Sequence, residues 1–227
     1  MARKRSYGQY CGLAHALEIV GERWALLLVR DLVLGPKRFT DLRLGLPRIP
    51  TNVLSARLKE LEQAGIVRRR TLPRPAASVV YELTEYGAEL EEILLRLGRW
   101  GAQTLGEPGP DDIVTVDGEI LALRATFQPE RARGIHTSYE LHIGGVVVHA
   151  IVEDGALKAD EGPLTGADLV IEIAEIDALK PLLTREIKPG DAIECGTVVL
   201  RGDQAEFERF LELFTVFDAL PLAKLLI

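Results

Sequence analysis

Four arginines within seven residues, Arg68, Arg69, Arg70 and Arg74, are the densest chemistry in the chain. Guanidinium groups bind phosphate oxygens through paired donors, so such a cluster is built to hold a polyanion. A little upstream, Thr51, Asn52, Ser55 and Lys59 recur at a spacing that gathers them on one side of a helix. These are hydrogen-bonding types suited to base edges and phosphates. Arg57 lies between them, and both a core-packing and a phosphate-reaching role stay open for it. Nothing comparable supports catalysis: there is no glycine-rich phosphate loop, no G-x-S-x-G elbow and no H-E-x-x-H pair, so no catalytic residues and no cofactor are expected.

Two cysteines and three histidines call for separate readings. Cys11 precedes a helical segment whose dipole, with Arg3, Lys4 and Arg5 nearby in sequence, favours the thiolate, which makes it a redox candidate. A small buried residue at a dimer contact is the competing reading. Cys195 reads as a buried strand-edge residue, because no histidine or lysine neighbours it in sequence to lower its pKa. His136, His142 and His149 do not converge by strand parity alone, so no metal site is expected.

Helices must position the first group. CGLAHALEIV and WALLLVRDLVLG carry apolar residues at helical spacing, and Gly35-Pro36 stops the second. A short helix with Thr40 as its cap follows, ending at Pro47. The next helix, TNVLSARLKELEQAG, puts Leu54, Leu58 and Leu61 on one face and Asn52, Ser55, Ala56 and Lys59 on the other. A short helix, a tight turn and a second helix with one apolar and one polar face is a helix-turn-helix, with Thr51, Asn52 and Ser55 where a recognition helix meets base edges. IVRRRTL and VVYEL then form a hairpin around PRPAAS, a wing carrying the four arginines. A helix over 84–105, capped by Thr84, bears Leu90, Ile93, Leu94, Leu97, Trp100 and Leu105 and, with the first helix, is the expected homodimer contact.

This half resembles the HxlR-type winged-helix regulators. The resemblance rests on CGLAHALEIVGERWALLLVRDLVLGPKRFTDLR, IPTNVLSARLKELEQAGIVRRR and YELTEYG, and spans roughly residues 7–105. It implies a homodimeric bacterial transcription regulator that binds double-stranded DNA, with relatives that often respond to electrophiles, oxidants or metabolites, in some of them through a cysteine at the place of Cys11.

Charge separates the halves. Residues 1–106 carry 17 Lys and Arg against 11 Asp and Glu, and residues 107–227 carry 10 against 23, although the whole chain nets −7. The basic half faces an anionic polymer and the acidic half repels it. With EPGPDD as a linker, two domains are expected, 1–106 and 107–227. No run of eighteen apolar residues and no secretory core occurs at the start, so the reading is cytoplasmic, without a membrane partner.

In the second half EILALRATF reads as a helix, and breaks at Gly144-Gly145, Asp154-Gly155 and Gly162-Pro163 read as successive hairpins of an antiparallel sheet. IDALKPLLTREIKPGDAIECG adds helical material, TVVLRG a strand, and DQAEFERFLELFTVF a closing helix. The class is α+β. YELHIGGVVVHAIVEDGALKADEG, ADLVIEIAEIDALKPLLTREIKPGDAIECGTVVLRGD and FERFLELF, within about 120–217, resemble the sterol carrier protein type 2 fold. That resemblance implies an apolar cavity between sheet and helices that takes an apolar or lipid-like small molecule. The expected protein is a ligand-modulated regulator reading a pseudo-palindromic operator. The alternative is a ligand carrier or scaffold whose helix-turn-helix serves only dimerisation or protein contacts.

Overall fold

The structure is a computed structural model and describes residues 6–73, 77–106, 108–109, 111–173, 182 and 187–215. Close packing divides the chain into two units, Met1–Leu94 and Leu95–Ile227. Composition places the boundary later, at 106/107.

In the first unit, α1 (Gly12–Val20), α2 (Ala25–Val33), α3 (Phe39–Gly45) and α4 (Thr51–Gln63) precede the wing strands β1 (Val67–Thr71) and β2 (Val79–Leu83). Leu28, Leu42, Leu54, Leu58 and Ile66 are at most 2% exposed and form the centre of one core. Asp31 on α2 is also fully buried, held by Arg30 Nε at 2.8 Å and Nη2 at 2.7 Å. The start of α3 differs from expectation: Arg38 is the cap residue, and Asp41 accepts its N–H at 2.8 Å. Thr40 already lies inside the helix, because a carboxylate one turn in satisfies the orphan donor better than a hydroxyl at the cap.

The wing is rooted in the helical layer. Lys37 and Tyr81 exchange both backbone hydrogen bonds, at 2.9 and 2.8 Å, so the segment after α2 forms a third rung beside β2. At the hairpin's exit Thr84 caps α5 (Glu85–Ala88) by accepting from Gly87 N at 3.0 Å. A Cβ on Gly87 would stand 2.1 Å from the Ile66 carbonyl oxygen, so only glycine fits there. The single helix expected over 84–105 is instead two, α5 and α6 (Leu90–Ala102). Leu90 and Leu94 pack on the core, while Ile93, Leu97 and Trp100 are 57%, 41% and 68% exposed.

The second unit holds α7 (Val116–Thr126), β3 (His136–Ile143), β4 (Val146–Glu153), β5 (Ala156–Glu161), β6 (Leu169–Ile173), α8 (Pro189–Glu194), β7 (Val198–Gly202) and α9 (Gln204–Leu213). The expected α+β class holds. Two of the three expected hairpin turns form, with Gly144-Gly145 at φ of 55° and 84° and Asp154-Gly155 at 46° and 83°, as a turn with two left-handed residues requires. The third break is not a hairpin. The strand order is β5-β4-β3-β6-β7, and β6 runs parallel to β3. The expected all-antiparallel sheet is thus corrected to a mixed one. Residues 162–168 carry the chain from the edge strand β5 across β4 and β3, and a connection that returns to the opposite flank starts its strand in the same direction.

One face of this sheet is apolar and carries Tyr139, Leu141, Val148, Ala150, Leu169 and Ile171. Helix α7 packs against β4 and β5, and α9 against β6 and β7. Tyr139, Phe210 and Phe214 form edge-on and tilted ring contacts with centroids 4.7–6.1 Å apart, a favourable geometry for buried aromatics. Residues 174–181 and 183–186, expected to be helical, and 216–227 lie outside the described residues.

Candidate nucleic-acid interface

Helix α4 separates its two functions by burial. Leu54, Leu58 and Leu61 are at most 1% exposed and fix the helix to the core. Thr51, Asn52, Ser55, Ala56 and Lys59 are exposed on the other side. Ser55 Oγ donates to the Thr51 carbonyl at 3.0 Å, so its lone pairs face outward as acceptors. Among the described residues the Asn52 amide makes no hydrogen bond, so its donor and acceptor are both available to a partner. Arg57 is drawn inward: it pairs with Glu22 at 3.2 Å and with Glu60, with its side chain 19% exposed. Its guanidinium is thus engaged by two exposed carboxylates of the same unit, a pairing that neither of the two roles left open by the sequence describes.

The structure divides the wing arginines that the sequence leaves equivalent. In the β1–β2 register Arg68 faces Glu82 and Arg69 faces Tyr81. Arg68 Nε donates to Glu82 Oε1 and Arg70 Nε to Oε2, both at 2.8 Å. Arg69 extends over the Tyr81 ring, 5.8 Å from its centroid, with its charge uncompensated among the described residues. Arg74 lies outside the described residues. Glu82, only 8% exposed, was not singled out by the sequence, because a carboxylate in a strand reads as a solvated surface residue. The hydrogen bond from Arg70, aided by Arg68, holds its carboxyl below the usual range despite burial. Arg38, Arg43 and Arg48, in and beside α3, are exposed as well. The helix preceding a recognition helix crosses the phosphate backbone in helix-turn-helix proteins, which is the signal that could have found them.

The remaining candidates are scattered. Cys11 is the cap residue of α1 and is exposed in the single chain. Its thiol pKa is lowered by the N–H groups of Ala14 and Leu13 at the helix start. Cys195 is also exposed, at the end of α8 and not buried at a strand edge, and its Sγ lies 2.9 Å from Thr197 Oγ1. That contact lowers its pKa, a through-space effect invisible to a search for neighbouring histidine or lysine. His142 Nε2 lies 2.6 Å from Glu140 and His149 Nδ1 lies 2.9 Å from the Gly162 carbonyl. No group of three metal-ligating side chains forms among the described residues.

In the second unit a cavity of about 310 Å³ opens at the Gly144-Gly145 turn, lined by His142, Val146, Val147, Glu172, Ile173 and Val199 with the two glycines. Its lining comes from strands and turn and includes nothing from α7 or α9, unlike the cavity expected between sheet and helices. Among the described residues no helix is long and apolar enough to cross a membrane.

The HxlR-like helix-turn-helix family description matches residues 19–108. The HTH-type transcriptional regulator YodB of Bacillus subtilis (strain 168) is 40% identical over 94 residues, which span 41% of this chain and 83% of YodB. The solved reduced form of YodB covers 44% of this chain and 99% of its own, at 38% identity and a TM-score of 0.38. The redox regulator HypR in its oxidized form covers 42% of this chain and 99% of its own, at 34% identity and a TM-score of 0.40. With the family description matching residues 19–108 and a relative 40% identical matched over 83% of its length, the chain belongs to the HxlR-like helix-turn-helix family.

Proposed function

We propose that this chain is a DNA-binding transcriptional regulator that reads a pseudo-palindromic operator as a homodimer. The observation that carries the reading is the division of α4 between Leu54, Leu58 and Leu61, buried, and Thr51, Asn52, Ser55 and Lys59, exposed next to an arginine-bearing wing. Asn52, at the second position of α4, is placed to bond a base edge bidentately, as asparagine does with adenine. Lys59, Arg38, Arg43 and Arg69 supply sequence-independent phosphate contacts. Dimerisation uses α1, where Leu13 and Leu17 are 70% and 43% exposed, and the apolar stripe of α6. Half-sites about 34 Å apart follow from two-fold symmetry on B-form DNA.

The second unit is read as a sterol-carrier-like module that modulates binding through an apolar small molecule. A mixed sheet with helices on its apolar face supports this, and a ligand acts only by binding two dimer arrangements with different affinity. YodB, which matches this chain over about its first half, has been solved with quinone bound, a small-molecule precedent for the helix-turn-helix half and not for the second unit. Cys11 is read as an oxidant-responsive thiol on the strength of its exposure and helix-start position.

Selection from a randomised duplex pool by the full-length protein at about 0.15 M salt tests the function. Recovery of a pseudo-palindrome, and loss of sequence preference on Asn52→Ala, are expected. No enrichment, with negligible binding at low salt, would overturn the DNA reading in favour of a carrier or scaffold.

A further inference from the structure

The wing is not simply a positive surface. Glu82 divides its two oxygens between two guanidiniums, Arg68 through Nε and Arg70 through Nε and Nη2, each at 2.8 Å. The carboxylate side chain is 11% exposed while those of Arg68 and Arg70 are 64% and 46% exposed, so the acid sits beneath and the arginines fan outward over it. Two arginines and one carboxylate leave one net charge where the sequence writes two. A phosphate approaching from solvent must share or displace a partner already in hydrogen-bond contact, held on the same hairpin at fixed distance.

We propose that Glu82 is a specificity-determining residue, an internal competitor of phosphate for Arg68 and Arg70 that weakens indiscriminate attachment of the wing to DNA. The inference rests on the DNA-binding reading and deepens it. When α4 is seated in its own sequence, the neighbouring phosphates are held against the wing and compete well. On a random duplex the wing has no such help, so the competition costs more affinity there than at the operator. Arg69, facing the other side of the hairpin over Tyr81, is outside this competition and contributes to both complexes alike.

Full-length protein carrying Glu82→Gln, titrated with a random duplex and with the selected operator from 0.05 to 0.3 M salt, tests this. Releasing one further phosphate contact steepens the log K against log salt slope by about 0.9, which between a 1 M reference and 0.15 M amounts to about fivefold tighter random-duplex binding. The operator is expected to gain less, so the specificity ratio falls. The double variant Arg68→Gln/Glu82→Gln restores one net charge on the pair and is expected to return the wild-type slope, and it carries no stranded charge should the single variant fold poorly. Wild-type slope and affinity for random duplex in Glu82→Gln, or a slope shallower by one in the double variant, would overturn the proposal. Wild-type protein that binds no duplex at any salt would instead remove the DNA reading itself.

Discussion

Glu119, in the first turn of α7, offers a quantitative test of the second unit. Burial pushes its carboxyl up to about 7 from an ordinary value of 4.5, since desolvation disfavours the charged form. The folded state therefore holds this proton between pH 4.5 and 7 while the unfolded chain releases it. The resulting stability is fully present below about pH 4.5, is lost progressively as pH rises, and is gone above about pH 7. A difference of roughly 2.5 pH units at 1.36 kcal/mol each gives a limit of about 3 kcal/mol at pH 8. Glu119→Gln removes the titration and keeps the shape, so it is expected to exceed wild type by about 2–3 kcal/mol at pH 8 and by under about 1 kcal/mol at pH 5. Urea unfolding of the full chain at both pH values, followed by a probe of the sheet domain, measures the difference directly. An equal effect of the substitution at pH 5 and pH 8 would refute the reasoning, because only a titrating group makes the gap depend on pH.

Three further outcomes are expected. Gly87→Ala drives a methyl against the Ile66 carbonyl, and thermal unfolding should show the first unit destabilised by about 2–3 kcal/mol. Ile93→Glu with Leu97→Glu places charges on the exposed stripe of α6; light scattering should show monomers, with operator affinity falling by at least tenfold as half-site cooperation is lost. Cys11→Ser should leave operator binding intact in reducing buffer while abolishing any loss of binding caused by peroxide, and retained peroxide sensitivity would remove Cys11 as the sensor.

What could be read in advance was set by periodicity and by local chemistry. The buried stripe Leu54, Leu58 and Leu61 needs only the helical repeat to be seen, and the opposite polar face follows from it. The turns at Gly144-Gly145 and Asp154-Gly155 announce themselves through residues that tolerate positive φ. Pairings distant in sequence were hidden. Glu82 under Arg68 and Arg70 depends on strand register, and Arg57 with Glu22 on how α4 packs. The parallel partnership of β3 and β6 depends on which flank the connection 162–168 reaches, which no turn signal encodes. The break between α5 and α6 falls in a strongly helical stretch, and propensity alone gives no reason for it.

The Lys37–Tyr81 bridge has an evolutionary consequence. Because β2 is clamped at its middle by the segment after α2, and at its end by Thr84 N donating to the Ile66 carbonyl at 2.9 Å, the register of the hairpin is decided at its base. The ladder bonds of β1 with β2, continued by Leu72 N donating to Ser78 O at 2.9 Å, are thus held from the base outward. Changes in the sequence that joins Leu72 to Ser78 then leave Arg69 at a fixed offset from α4, so descendants of this chain can explore new contacts in that sequence at little risk to the register of β1 and β2.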